Sequence, residues 1–420
     1  MLKMKLHQKI FWLLIFLLPV QLGRHFWPDF SFVLGLKIDY LSPTVYLTDL
    51  LVFIILILWA WESRRKLSIN FLISWLKRNW WITAVFAYLL VNAFLALNQG
   101  AAFYKLIKII ELTLLGCYLA KNRYSLTNFY LPLSLAVIYS SLIALAQFFK
   151  QGSLNGLFWW LGERTFDLTT PGIAKAVFNG HLLLRSYAIF SHPNALAGFL
   201  LMALILTIPF LKKAKFWLLA YVFLAVPALI FSFSRSVWLV GVLFLFALGL
   251  KKIKEIRLYS LKKKILIFSL SSLFFILCFW LLAISSRFST DEAFFQRLQL
   301  MKSSFLMIKN FPLSGVGLNN FIVYLPNYWS LIGFTYWLQP VHNLYLLLIA
   351  ETGAMGFLIF LWFLFLSYQR LLLKKNHQGL LLGALSVLLL LGFFDHYWLT
   401  LQQNQLLLAV LFGLVWSSQN

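Results

Sequence analysis

Acidic side chains are scarce in this 420-residue chain: 12 Asp and Glu stand against 36 Lys and Arg, a net charge of +24. No Asp-x-Asp occurs, and the one adjacent acidic pair, Asp291-Glu292, is a poor start for an octahedral oxygen site. A nucleotide-sugar transferase usually offsets its leaving diphosphate with a metal held by carboxylates, so this composition argues against that class. No metal and no cofactor are expected. Cysteine is nearly absent: Cys117 and Cys278 both lie inside apolar runs, which reads as two packed small residues rather than a disulfide. Charge of any sign is sparse too, at 11% of residues against 62% hydrophobic and a mean hydropathy of +0.84. That excludes a soluble domain. No internal repeat and no low-complexity linker occurs, so residues 1–420 read as a single domain.

What is present is a succession of apolar runs of membrane-spanning length. The first, Phe11–Val20, follows Lys3, Lys5 and Lys9; Gln21-Leu22-Gly23-Arg24 offers no small-x-small cleavage site, so it reads as a retained helix. Further spans are expected near Val45–Trp61, Trp81–Leu97, Phe103–Ala120, Leu126–Phe149, Ser186–Leu211, Phe216–Phe231, Val237–Leu250 and Ile265–Ile284. The tenth runs from near His342 to Arg370, followed by Gly379–Phe394 and Gln405–Trp416. Basic clusters at Lys3–Lys9, Arg64–Arg78, Lys121–Arg123, Lys212–Lys215, Lys251–Lys264 and Arg370–Lys375 fall at every second connection and hold 23 of the 36 Lys and Arg. That is the positive-inside pattern, not a nucleic-acid footprint, so no nucleic-acid partner is expected. The chain therefore reads as an all-α membrane protein of about twelve transmembrane helices with cytoplasmic N- and C-termini. Asn155 and Ser330 then face the extracytoplasmic side and Lys252 the cytoplasm. Residues 285–341 form one large extracytoplasmic loop between helices nine and ten. A loop of that length is uncommon unless it covers a site.

Several residues at the outer ends could carry chemistry. Arg185 and Arg235 sit where helices meet the interface; such residues either snorkel to head groups or grip a diphosphate bidentately. His342 either caps the tenth helix or acts as a general base, since a neutral imidazole can take a proton from an attacking hydroxyl. Glu351 lies nine residues on, about 13 Å along an ideal helix and on roughly the opposite face, which disfavours a direct pair with His342. Lys105, Lys108 and Glu111 share a face of the fourth helix; they are intramembrane functional candidates, or Lys108 and Glu111 simply neutralise each other. Gly315-Val316-Gly317 lacks the third glycine and preceding strand of a dinucleotide site and reads as a tight turn after Pro312. Trp329 and Trp337 either stack on sugars or belong to an interfacial belt.

Four stretches together resemble the O-antigen ligase / O-antigen polymerase superfamily of membrane glycosyltransferases. They are Arg185-Ser186-Tyr187-Ala188-Ile189-Phe190-Ser191-His192-Pro193-Asn194-Ala195-Leu196-Ala197-Gly198; Phe233-Ser234-Arg235-Ser236; Phe311-Pro312-Leu313-Ser314-Gly315-Val316-Gly317-Leu318-Asn319-Asn320-Phe321; and His342-Asn343-Leu344-Tyr345 with Glu351-Thr352-Gly353. The resemblance implies transfer of a glycan from undecaprenyl diphosphate to an acceptor hydroxyl on a lipid, glycan or protein, at the outer face of the cytoplasmic membrane. It makes His342 the base and Arg185 and Arg235 the diphosphate clamp, with Asn343, Glu351, Asn194, Lys105 and Lys108 as supporting candidates. A direct displacement with one base inverts the anomeric centre and needs no metal. Ligase and polymerase share these motifs. A flippase for lipid-linked saccharide is the competing class, although transporters tend to show repeats and midplane polar groups that this chain lacks.

Overall fold

The computed structural model describes residues 4–63, 80–178, 180–211, 215–255, 291–329, 338–374 and 377–417. The basic cluster Arg64–Arg78, most of Lys251–Lys264, the ninth expected span, the first residues of the expected large loop, Ser330 and Trp337 lie outside them. The molecule is mostly helical. Three described helices are long and apolar enough to cross a membrane: α5 (Tyr130–Lys150), α6 (Pro193–Leu211) and α11 (Leu344–Leu372). Around them stand α1 (Leu6–Phe16), α2 (Leu47–Ser63), α3 (Trp80–Leu95), α4 (Gln99–Lys121), α7 (Lys215–Phe231), α8 (Arg235–Glu255), α12 (Gln378–Gly392) and α14 (Gln402–Trp416).

These helices follow the apolar runs closely, with two differences that matter. The first ends at Phe16 rather than Val20, because Pro19 cannot continue it. The sixth begins at Pro193, not Ser186. The backbone N–H of Ser186 donates to Phe231 O (3.0 Å), Ala188 sits at φ +50°, and proline is favoured in a first helical turn. Residues 186–192 are thus an irregular strap, though as apolar as the helix behind it. Departures from an all-α reading lie in the connections: antiparallel pairs β1 (Gly23–His25) with β4 (Thr44–Tyr46), and β5 (Lys175–Phe178) with β6 (His181–Leu184). A two-residue pair, β2 (Phe32–Val33) with β3 (Leu36–Lys37), completes them.

The core is built around α6, whose residues from Pro193 to Thr207 are all buried. α14 lies along α4, where small residues let the backbones meet: a Cβ on Gly413 would come within 3.0 Å of Gly116 O. The expected large loop is partly helical. α9 (Asp291–Asn310) and α10 (Phe321–Tyr328) are joined by the Pro312–Gly317 turn, as the glycines suggested. That turn docks on a break in α11. Gly353 adopts φ +60°, ψ −172°, a conformation essentially confined to glycine. The break frees backbone groups that the turn satisfies: Val316 N–H donates to Ala350 O (2.8 Å), Gly317 N–H to Glu351 O (2.9 Å), and Ala354 N–H to Pro312 O (2.8 Å). Short α13 (Tyr397–Thr400) precedes α14.

Candidate active site

The ends of α5, α7 and α12 and the starts of α6, α8, α11 and α14 gather at one end of the helices, and the titratable residues collect there. Asn343 caps α11, its side-chain oxygen accepting from Leu346 N–H (2.9 Å) while its amide donates to Phe393 O (3.0 Å). This second bond ties the start of α11 to the end of α12. Consequently His342 Nδ1 lies 3.3 Å from Asp395 Oδ1. A carboxylate only accepts, so Nδ1 carries the proton and Nε2 keeps its lone pair. The His396 ring lies beside that of His342, tilted by 40° at 5.3 Å between ring centroids, with its Nδ1 2.7 Å from Thr400 Oγ1.

Asp395 is the hub. It is almost fully buried, and besides His342 it accepts from the His396 backbone N–H (2.8 Å, Oδ1) and from Asn194 Nδ2 (2.8 Å, Oδ2). Asn194 Oδ1 in turn accepts from Arg185 (2.6 Å), whose Nε donates to Ser232 O (2.7 Å). His342, Asp395, Asn194 and Arg185 therefore form one hydrogen-bonded chain. The strap places Arg185: Gln147, buried in α5, donates to Ala188 O (2.7 Å) and accepts from Tyr187 N–H (3.2 Å). Phe233 at φ +50° turns the chain from α7 into α8 and puts Arg235 at the head of α8. Arg235 has no hydrogen-bond partner among the described residues.

Electrostatics sharpen these roles. Burial, then the repulsion of Arg297 and Arg235, pull the Arg185 guanidinium down to about 10. Three arginines so placed repel one another and favour an anion between them. Burial alone would raise the Asp395 carboxyl; the facing histidines, His342 first, outweigh it and hold it well below the usual carboxylate range. Burial lowers His396 to about 3, and burial with the nearby Arg185 takes His192 well below its ordinary value, so both stay neutral near pH 7. The His192 Nδ1 accepts from Asn194 N–H (3.1 Å), which steadies the asparagine.

Other sequence candidates fall elsewhere. Glu351 does not approach His342; its side chain accepts from Phe321 N–H (3.4 Å), and Lys105 is its nearest opposite charge, because α11 carries it inward toward α10 and α4. Lys105 donates to Leu399 O. Lys108 is neutralised in an ion-pair group with Asp49 (2.6 Å) and Glu111 (3.0 Å), the second of the two readings the spacing allowed.

The sequence model of the family described as O-antigen ligase matches residues 219–361. That stretch is similar to an O-antigen ligase domain. Within its bounds lie Arg235, His342, Asn343 and Glu351, while Arg185, Asn194, Asp395 and His396 lie outside it. No curated protein sequence matches the chain. Its apolar helices mark a multi-pass membrane protein, and residues 219–361 are what it has in common with O-antigen ligases. The sequence leaves open whether Glu351 or Asp395 supports His342, and it does not bring His396, His192 and Arg297 to the same end of the helices. Asp395 and His396 were visible at a helix end, but nothing in the sequence says that α12 brings them to a residue fifty-three positions earlier.

His342, Asp395 and His396 also present atoms within 4.8 Å of one another that could ligate a metal ion. Two imidazoles and a carboxylate suit zinc. In this arrangement the carboxylate is taken up by His342, Asn194 and a backbone N–H, His396 Nδ1 is engaged by Thr400, and an arginine adds positive charge one residue away along the chain of bonds.

Proposed function

We propose that the protein is a membrane glycosyltransferase that moves a glycan from a polyprenyl diphosphate, undecaprenyl diphosphate in the bacterial envelope, to an acceptor hydroxyl. The observation that carries this reading is the continuous chain His342–Asp395–Asn194–Arg185, which couples a candidate base to a candidate anion site. His342 Nε2 takes the proton of the acceptor hydroxyl as its oxygen attacks the anomeric carbon. The bond from that carbon to the diphosphate oxygen breaks, and the electron pair leaves with the lipid diphosphate. Arg185 and Arg235, with Arg297 behind them, stabilise the charge that develops there. One displacement gives inversion, and the arginines stand where a metal-dependent enzyme places its cation.

The tied Arg185 side chain weighs against snorkelling, since its donors go to Ser232 and Asn194. The whole chain acts as one membrane unit, with its large loop on the extracytoplasmic face. The acceptor is a lipid, glycan or protein hydroxyl; ligase is the first reading, supported by the O-antigen ligase match, and polymerase the second. The test is extraction of lipid-linked saccharides from cells with and without the gene. Accumulated long chains are expected for a ligase; accumulated single units mean a polymerase, and an unchanged outer-leaflet pool would overturn glycosyl transfer.

A further inference from the structure

Glu163 lies outside the hydrogen-bonded chain of the site, yet its carboxylate reaches that chain through one other side chain. It is 4% exposed, and among the described residues no lysine, arginine or histidine forms an ion pair with it. Three N–H groups hold it instead. Leu154 N–H and Gln147 Nε2 donate to Oε1 and Asn155 N–H donates to Oε2, each at 2.7 Å. A buried carboxylate is tolerated only when it is hydrogen-bonded in this way. The bonds to Leu154 and Asn155 close Glu163's own loop, and a loop staple needs no more. The bond to Gln147 leaves the loop and grips the last turn of α5.

That bond fixes which way round the Gln147 amide lies. A carboxylate only accepts, so the Gln147 nitrogen must face Glu163 and its oxygen must face away. In this orientation Nε2 keeps a second hydrogen for Ala188 O (2.7 Å), and Oε1 accepts from Tyr187 N–H (3.2 Å). Gln147 thus holds the strap on both sides of Ala188, whose φ of +50° persists only where its surroundings impose it. Turned round, the same amide would set N–H against N–H and oxygen against oxygen. Arg185 precedes this turn and Asn194 follows it, so the turn sets how their side chains meet at 2.6 Å. Arg164 secures the far end of the strap: its guanidinium donates to Ser191 O (2.7 Å) and lies 5.7 Å from the Tyr187 ring. Glu163 itself touches no reacting group. Resting on the glycosyltransferase reading, we propose that Glu163, acting through Gln147, is a positioning residue that aims Arg185 at the lipid diphosphate.

The experiment follows the Arg185 guanidinium without turnover. Full-length protein in detergent is treated with phenylglyoxal, and peptide mass spectrometry gives the modification rate of each arginine. Exposed Arg24 is the internal standard. Arg185 should react slowly in the parent protein, since Asn194 and Ser232 occupy its donors. Glu163→Gln keeps the size but sets its own N–H against an N–H donor. It should speed Arg185 about tenfold, the loss of roughly one hydrogen bond, and leave Arg24 unchanged. Gln147→Met should act in the same direction and stands in if Glu163→Gln fails to fold. Undecaprenyl diphosphate without sugar is then added as the probe. It should protect Arg185 in the parent protein, and either variant should raise the concentration needed about tenfold. An Arg185 rate unmoved in the variants, or moved together with that of Arg24, makes Glu163 a loop staple and overturns the positioning role. Protection at the parent's concentration, or failure of both variants to fold, overturns it too. No protection in the parent protein overturns the diphosphate clamp of the transferase reading and, with it, the aim of Arg185, even if the variants loosen that side chain.

Discussion

Asp395 decides what His342 can do. By accepting at Nδ1 it fixes the tautomer whose Nε2 faces outward as a base, in the way a buried carboxylate orients a catalytic imidazole. His342→Ala should leave a folded protein that binds donor but transfers about 10²–10⁴-fold more slowly, measured with synthetic polyprenyl-diphosphate glycan. Asp395→Asn tests the orienting role separately. Its amide can donate to Nδ1 and select the wrong tautomer, so kcat should fall by about 10²-fold or more with donor KM unchanged. Arg185→Lys should be nearly inactive at equal protein level, because an ammonium cannot hold Ser232 O, Asn194 and a diphosphate together. The neutral histidines set a pH dependence of stability. Unfolded, His396 binds a proton below 6.5; folded, not until about 3. The unfolded state therefore holds more protons across that window, and stability falls as pH drops through it. Thermal melts in detergent should decline from pH 6.5 toward 4, and His396→Gln should flatten the decline.

At the scale of elements, the clasp between the 312–317 turn and the break in α11 carries the most demanding geometry. A Cβ on Gly353 would lie 2.2 Å from Leu313 O, and the backbone there has a positive φ. Gly353→Ala should cost about 1–3 kcal/mol or more and lower the melting temperature of the detergent-solubilised protein. The helices themselves were legible, since runs of apolar residues punctuated by Lys and Arg need no tertiary information. The start of α6 was not, because Tyr187, Ala188, Ile189 and Phe190 are as apolar as a helix and what ends the pattern is backbone pairing with α7. The pairing of His342 with Asp395 rather than Glu351 was likewise hidden. Spacing along α11 could only disfavour Glu351; choosing Asp395 required the contact between α11 and α12 that Asn343 makes.

For the whole molecule, the basic clusters and the gathering of site residues at one end of the helices predict one topology. Asn155→Cys should react with an impermeant maleimide on intact cells, and a cysteine appended at the C-terminus should not. Protection at Asn155 would put His342 and Arg185 on the wrong side for a lipid-diphosphate donor. The three-residue group that could take a metal receives its own check. Purified protein should transfer equally well in excess chelator, whereas loss restored by added zinc would make His342, Asp395 and His396 ligands and remove His342 as the base.

The clasp at Gly353 also constrains biogenesis. In hydrocarbon an unpaired backbone amide or carbonyl costs several kcal/mol, and the groups opened by the break find their partners about forty residues earlier in the chain. Residues 344–372 thus leave the ribosome as a helix that cannot rest complete in lipid by itself. Its partner segment has already been synthesised, so the order of translation delivers the receptor before the helix that needs it. Reversing that order, as a circular permutant with residues 344–420 ahead of residues 1–343 would, should slow stable insertion although the finished protein contains the same contacts.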